Sequence, residues 1–324
     1  MDTLIIEKKN EVYITVDCDP NIQREISEFF TFYVPGYKFM PAFRNRMWDG
    51  KIRLYSQKTK EIYFGLFPYI RAFAEERGYQ IVSGEDVEIN NKVDKEIVKK
   101  FSNSLGQKFE ARDYQIDAIY HSLKFNRALL LSPTASGKSF IIYSLIRYYS
   151  HLVKDAPNNR ILLIVPTTSL VEQMYSDFQS YGWNVKKNCH RLYSGYSNQT
   201  DKKVLISTWQ SLYKLPKKYF EQFGVVFGDE AHLFKSKSLT EIMTKLEDCK
   251  YRIGLTGTLD GAQTHKLVLE GLFGAVNKVT STRKLMDKQQ LSNLVVRCLI
   301  LKHTIENSKM VASGKYQDEI DYLV

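Results

Sequence analysis

Apolar positions in the first part of the chain recur in short alternating runs broken by polar turns. Residues 3–7 and 11–16 read as two strands around Lys8, Lys9 and Asn10, the pattern of a hairpin. Over residues 21–32 the period changes, and Ile22, Ile26, Phe29 and Phe30 fall on one side of a helix. After a turn at 33–36, residues 52–55 and 62–66 predict a second strand pair. Residues 68–78 predict a short helix ending at Gly78, and 79–82 a closing strand. These elements predict a small α+β domain over residues 1–85. The polar stretch 86–109 reads as a linker that includes a short helix.

From Arg112 onward helices and strands alternate. Helices are predicted at 114–123, 137–152, 168–181, 209–213 and 239–246, and strands at 128–131, 161–165, 204–208, 225–228 and 251–255. The strand runs are continuously apolar, as in Ile161-Leu162-Leu163-Ile164-Val165, which suits a strand covered on both faces. The fold class is therefore α/β: a mostly parallel sheet with helices on both faces over residues 110–280, preceded by the small α+β domain. In such a sheet, ligands sit beyond the carboxyl ends of the strands.

Composition narrows the setting. The 324 residues, 44% of them apolar, allow two domains and part of a third. No run approaches the ~18 apolar residues of a membrane span, and the N-terminus lacks the basic and apolar regions of a secretory signal. Cys18, Cys189, Cys249 and Cys298 are too scattered for a zinc ribbon and read as free thiols in a reducing, cytoplasmic compartment. The net charge of +10 lies wholly in residues 111–324, while residues 1–110 balance. Within that neutral part, Lys38, Arg44, Arg46, Lys51, Arg53, Lys58 and Lys60 face Asp49 alone between residues 38 and 60. Such a field attracts polyanions with little sequence preference.

The candidate chemistry lies at strand ends. Ser132-Pro133-Thr134-Ala135-Ser136-Gly137-Lys138-Ser139 follows a predicted strand and opens a helix. That is the arrangement of a phosphate-binding loop, although it begins with serine where glycine is usual. Backbone N–H groups over Thr134, Ala135, Ser136 and Gly137 would cradle phosphates, with Lys138 on the terminal ones and the Ser139 hydroxyl on Mg2+. Downstream, Asp229 and Glu230 end another apolar run. Two adjacent carboxylates at a core edge call for a cation, so Asp229 is predicted to hold Mg2+ of ATP and Glu230 to orient the attacking water. His232 follows as a candidate link to nearby loops. Arg112, Tyr114 and Gln115 lie upstream of the loop, and the Gln115 amide matches the donor–acceptor edge of adenine.

Three further strand ends carry hydroxyls: Pro166-Thr167-Thr168, Ser207-Thr208-Trp209-Gln210 and Thr256-Gly257-Thr258. Pro166, Thr167, Thr208 and Trp209 are candidates for contact with a nucleic-acid strand. In the small domain Arg44, Arg46, Lys51 and Arg53 are candidates for phosphate contact, whereas Trp48 reads chiefly as a residue that holds its turn.

With these motifs in this order, residues 110–275 resemble superfamily 2 helicases of the Asp-Glu-Ala-His type. Residues 36–54, Gly36-Tyr37-Lys38-Phe39-Met40-Pro41-Ala42-Phe43-Arg44 and onward to Leu54, extend the likeness to the UvsW-type recombination helicases of T4-like bacteriophages. The resemblance implies a RecA-like sheet and an ATP- and Mg2+-dependent DNA helicase, acting in the host cytoplasm on branched, forked or single-stranded DNA or on RNA–DNA hybrids. Thr256 and Thr258 would couple hydrolysis to strand contact. It also implies a monomer, no membrane association, and a second RecA-like domain, of which residues 281–324 would hold a linker and the truncated start. No match to that domain's arginine-bearing motif follows Leu259, so slow hydrolysis and little unwinding are expected of this chain. Two other readings stay open: a nucleic-acid clamp with little or no unwinding, and a small-molecule kinase or transporter ATPase.

Overall fold

The computed structural model describes residues 2–259, 263–292 and 297–298. The chain enters through β1 (Thr3–Lys8) and β2 (Tyr13–Asp17), the predicted hairpin, paired antiparallel with Ile6 opposite Val16. Leu4, Ile6, Ile14 and Val16 point inward while Ile5 between them is exposed, as the period of two requires. The helix Pro20–Phe29 follows, its first turn capped by the Asp19 carboxylate, which accepts from the Asn21 N–H. Ile22 and Ile26 form its buried face.

The next stretch departs from the expected pairing. β3 (Thr31–Tyr33) pairs antiparallel with β4 (Lys51–Arg53) in a separate two-stranded sheet. β5 (Tyr55–Ser56) pairs with β6 (Glu61–Tyr63). The predicted strand over 52–55 is thus divided at Leu54, whose N–H is taken by the Phe30 carbonyl and whose side chain is buried. The predicted strand over 62–66 turns into a 3-10 helix at Phe64. The helix Phe67–Arg77 ends at Gly78 in the left-handed region, and β7 (Gln80–Ser83) returns parallel to β1. The five-stranded sheet runs β5-β6-β2-β1-β7.

Residues 86–109 pack closely. Val87, Val98 and Leu105 are buried, and the Asn91 amide donates to the Leu123 carbonyl and to Asn126 Oδ1. The helix Lys95–Asn103, capped by Asp94, lies against the helix Asp113–Phe125.

The larger sheet is wholly parallel. Its strands are β8 (Arg127–Leu131), β9 (Arg160–Val165), β10 (Cys189–Leu192), β11 (Val204–Thr208), β12 (Phe223–Gly228), β13 (Tyr251–Thr256) and β14 (Val276–Lys278). They run in the order β10-β11-β9-β12-β13-β8-β14. Apolar cores lie on both faces, one centred on Phe140, Ile142 and Phe178, the other on Phe234, Ile242 and Phe273. This is the RecA-like architecture expected. The edge strands β10 and β14 and the helix Gln263–Phe273 were not anticipated. An edge strand is paired on one side only, so it needs fewer apolar residues than the pattern test demands.

The two sheets meet along a seam. The carbonyls of Glu270 and Gly271 lie so near Gly65 that an added Cβ would stand 2.0 and 2.7 Å from them. Tyr69 donates its hydroxyl to Glu270 at 2.6 Å. Arg127 Nη2 meets both the carboxylate (2.8 Å) and the carbonyl (2.6 Å) of Glu11, and Arg252 donates to the carbonyls of Leu272, Leu246 and Met243. The predicted linker and second-domain start over 281–324 falls mostly outside the described residues. Within it, a helix runs Thr282–Asp287.

Candidate nucleotide site and nucleic-acid interface

Strand order places the candidate motifs side by side. The segment 132–139 leaves β8; next to it Thr256–Thr258 leave β13; then Asp229 and Glu230 leave β12; then Pro166 and Thr167 leave β9; then Thr208 and Trp209 close β11. All five stand at carboxyl ends of parallel strands, on one rim.

In the loop after β8, Ala135 (φ 63) and Gly137 (φ 82) take left-handed backbone conformations. Alternation of this kind turns successive N–H groups toward a common concavity suited to anions. No side chain caps the helix Lys138–Leu152 that begins there, so its N-terminal dipole is open to an anionic group. Below the loop, Ser132 N–H donates to the Thr256 carbonyl at 2.8 Å and the Ser132 and Ser136 hydroxyls share a hydrogen bond at 2.6 Å. These contacts hold the loop from beneath and leave Thr134 and Ala135 exposed.

Four charged or polar groups then form a chain across the rim. Lys138 Nζ pairs with Glu230 Oε1 at 2.7 Å. The other Glu230 oxygen lies 3.3 Å from His232 Nδ1, and that nitrogen lies 2.9 Å from Thr256 Oγ1. Thr256 Oγ1 donates to the Thr258 carbonyl at 2.8 Å. Glu230 itself sits at φ 50, a left-handed value uncommon outside glycine, where β12 gives way to a 3-10 helix.

Asp229 is buried, its N–H held by the Ile164 carbonyl at 2.9 Å, and its Oδ1 finds no partner among the described residues. Burial raises its pKa above the ordinary carboxylate value, with Lys138 pulling the other way. An orphaned, desolvated carboxylate oxygen beside a hydroxyl-bearing helix N-terminus fits a hard divalent cation. Among the described residues no group of three or more His, Cys, Asp or Glu side chains forms a metal cage. Mg2+ held chiefly by phosphate oxygens needs only one carboxylate and one hydroxyl, a set for which Asp229 and Ser139 are the candidates.

Both ends of the Gln115 amide are engaged by the protein. Its Oε1 accepts from the Arg112 N–H and its Nε2 donates to the Ser136 carbonyl, both at 2.9 Å. The amide thus joins a helix start to the phosphate loop, which is why Gly137 has no room for a Cβ: one would lie 2.3 Å from Gln115 Nε2. Arg112 donates to the Tyr114 hydroxyl at 2.7 Å on the exposed side.

Along the rest of the rim, Thr167 caps the helix Thr168–Ser180 and is exposed with Thr168. Thr208 is buried and shares a hydrogen bond with Ser211, while Trp209 is half-buried against the core. In the small domain Arg44 and Arg46 are exposed, Lys51 lies 4.9 Å over the Tyr33 ring, and Arg53 is paired with Asp49. The Trp48 indole donates to the Lys51 carbonyl at 2.9 Å, closing its turn. What the sequence reading missed is the seam. Arg127 opens β8 and Arg252 is the second residue of β13, a signal that the amino-terminal ends of these strands border something polar.

Comparison with known proteins agrees with this arrangement. The family described as "Type III restriction enzyme, res subunit" matches residues 108–261, and "DNA helicase UvsW, N-terminal" matches residues 6–83. The ATP-dependent DNA helicase uvsW of Enterobacteria phage T4 is 33% identical over 317 residues, covering 95% of this chain and 62% of the relative. A crystal structure of the UvsW helicase from bacteriophage T4 superposes with a TM-score of 0.77 at 32% identity, over 86% of this chain and 100% of that one. A second T4 UvsW structure gives 0.78 at 30% identity, over 100% of this chain and 64% of that one. No helix among the described residues is long and apolar enough to cross a membrane. With both of its domains matched and its motifs brought to one rim, the chain belongs to the UvsW-type DNA helicases of superfamily 2.

Proposed function

We propose that this chain carries the nucleotide-binding half and the substrate-recognition domain of an ATP-dependent motor that remodels branched DNA or RNA–DNA hybrids. It spans 62% of the length of the T4 relative, so unwinding by the whole protein, its partners, and a cytoplasmic place of action are part of the proposal. The observation that carries the reading is the continuous chain Lys138–Glu230–His232–Thr256.

In this reading the loop N–H groups and Lys138 would hold the β- and γ-phosphates, and Ser139 and Asp229 would hold Mg2+, which would supply neutralisation of charge on the phosphate oxygens. Lys138 leaves Glu230 for the phosphates. Glu230, released from the ammonium, then orients the attacking water and accepts its proton. His232 and Thr256 report the state of Glu230 to the neighbouring strand end, where the exposed Thr258 and Thr167 face the nucleic acid, while Thr208, buried against Ser211, supports that rim from beneath. Gln115 and Tyr114 border the adenine side, with Gln115 bracing the loop from there. Arg44, Arg46, Lys51 and Arg53 contribute phosphate contacts from the small domain.

The test is ATP turnover with and without single-stranded, duplex and forked DNA. For this chain the basal rate is expected to be slow and raised by DNA. Glu230→Gln is expected to abolish the DNA-stimulated rate while Mg·ATP still binds. Turnover unaltered by that substitution, or stimulated by no DNA, would overturn the reading.

A further inference from the structure

The seam between the two sheets holds a hollow of about 230 Å³. Phe64 and Pro68 border it from the small domain, and Val87 and Ile89 from the segment that joins the domains. His121 and Phe125 border it from the end of the helix Asp113–Phe125, and Arg127 from the start of β8. β8 runs from there to the phosphate loop, so the hollow and the loop lie at opposite ends of one strand.

Arg127 is the unusual wall. It is 6% exposed, its Nη2 is taken by Glu11, and its guanidinium covers the Phe64 ring. Its Nε and Nη1 find no partner among the described residues. Buried donors are ordinarily met, because a bare one keeps the full cost of its desolvation. The charge here is unmet as well. Glu11 is shared between Lys8 and Arg127, with Arg252 close by. The seam's other buried acid, Glu270, is engaged by the Tyr69 hydroxyl and the Val276 N–H. Burial, and after it the neighbouring Arg127, lower the Arg252 pKa to about 10, a sign of crowded positive charge. Burial and then Lys124 hold His121 below its ordinary pKa, which leaves the imidazole neutral at neutral pH and Arg127 the cation of the hollow.

We infer that this hollow binds a small aromatic carboxylate, with its ring against Phe64, Ile89 and Phe125 and its carboxylate accepting from Arg127. Water would meet the bare donors but gain nothing from the apolar walls. An aromatic acid uses both, and it brings the negative charge that the seam lacks. The size suits such a ligand, since a dry apolar cavity of ~150 Å³ already accepts benzene. Because the walls come from both domains and from the segment between them, a bound ligand stabilises the assembled pair. It does not compete with ATP, whose proposed site is at the other end of β8. The inference stands apart from the nucleotide and DNA readings above.

The experiment titrates the chain with 2-naphthoate and with the uncharged 2-naphthalenemethanol, read by calorimetry and by the thermal midpoint. The acid is expected to bind at least about tenfold more tightly than the alcohol and to raise the midpoint. Mg·ATP should leave its affinity within about twofold. Ile89→Trp, at a half-buried wall position, fills the hollow and should abolish binding of both probes with the circular dichroism spectrum preserved. Arg127→Met should make acid and alcohol bind alike; where that variant does not fold, the acid–alcohol comparison on wild type and the Ile89→Trp result decide. No binding of 2-naphthoate by wild type, equal affinity for the two probes, undiminished binding by Ile89→Trp, or displacement of the acid by Mg·ATP would each overturn the site.

Discussion

Glu11→Ala would leave the Arg127 guanidinium, 6% exposed, without its counter-charge at the seam between the two sheets. Little else there can take up the charge. The guanidinium lies over the Phe64 ring at 4.3 Å, and its Nε and Nη1 already lack partners among the described residues. Removing one partner of a buried pair typically costs about 3–5 kcal/mol, because the remaining charge stays desolvated. Arg127→Met should cost less, about 1.5–3 kcal/mol, since Glu11 keeps Lys8 at 2.7 Å. The double variant should resemble Arg127→Met alone, so the coupling equals the cost of Glu11→Ala in magnitude, about 3–5 kcal/mol. Urea unfolding of the four chains by circular dichroism measures this. Singles that add to within about 0.5 kcal/mol would refute the reasoning. The pair also predicts a pH dependence. Burial pushes the Glu11 carboxyl upward, but Arg127 and Lys8 outweigh it and hold the folded pKa below the ordinary 4.5. The stabilisation is therefore complete above that ordinary value and is lost as pH falls through the lower, folded one. The gap between wild type and Glu11→Ala should narrow in acid.

Gly65→Ala would drive a Cβ into the Glu270 and Gly271 carbonyls, which cannot swing aside, so a lowered urea midpoint and faster proteolysis near the seam are expected; a wild-type profile would contradict that contact. Gly137→Ala forces φ 82 on a residue with a Cβ, costing about 1–2 kcal/mol, and pushes Gln115 off the Ser136 carbonyl. Calorimetry should show Mg·ATP affinity falling at least about tenfold (~1.4 kcal/mol), and unaltered affinity would count against this loop as the phosphate site. Burial lifts the Cys189 and Cys249 thiols to about 12 and Cys18 to about 11, while Cys298 is exposed. Native alkylation near pH ~8 should therefore mark Cys298 first, and early labelling of Cys249, read by mass spectrometry, would show the seam to be open.

Local pattern carried much of the candidate nucleotide site. Residues 128–139 hold an apolar strand, a glycine turn and a helix start within one short window, so a single geometry satisfies them all. Asp229 and Glu230 were legible for a similar reason, being charges at the end of an apolar run. Other features depend on distant parts of the chain. β10 and β14 were not read as strands because their few apolar residues pair with one neighbour only. The division of 52–55 between two sheets required Phe30 to claim the Leu54 N–H. The engagement of Gln115 with Ser136 required the helix start and the loop to meet.

The amino-acid order alone determined that a strand would end in a phosphate-type loop, that two carboxylates would end another, and that a basic, aromatic segment would precede both. These are consequences of period, turn chemistry and charge within a few residues. Only the folded chain decided that β13 would lie between β8 and β12, bringing Thr256 to His232 and Lys138 to Glu230. Strand order in a parallel sheet is set by where each crossover helix packs, and that is decided by contacts among residues far apart in the chain.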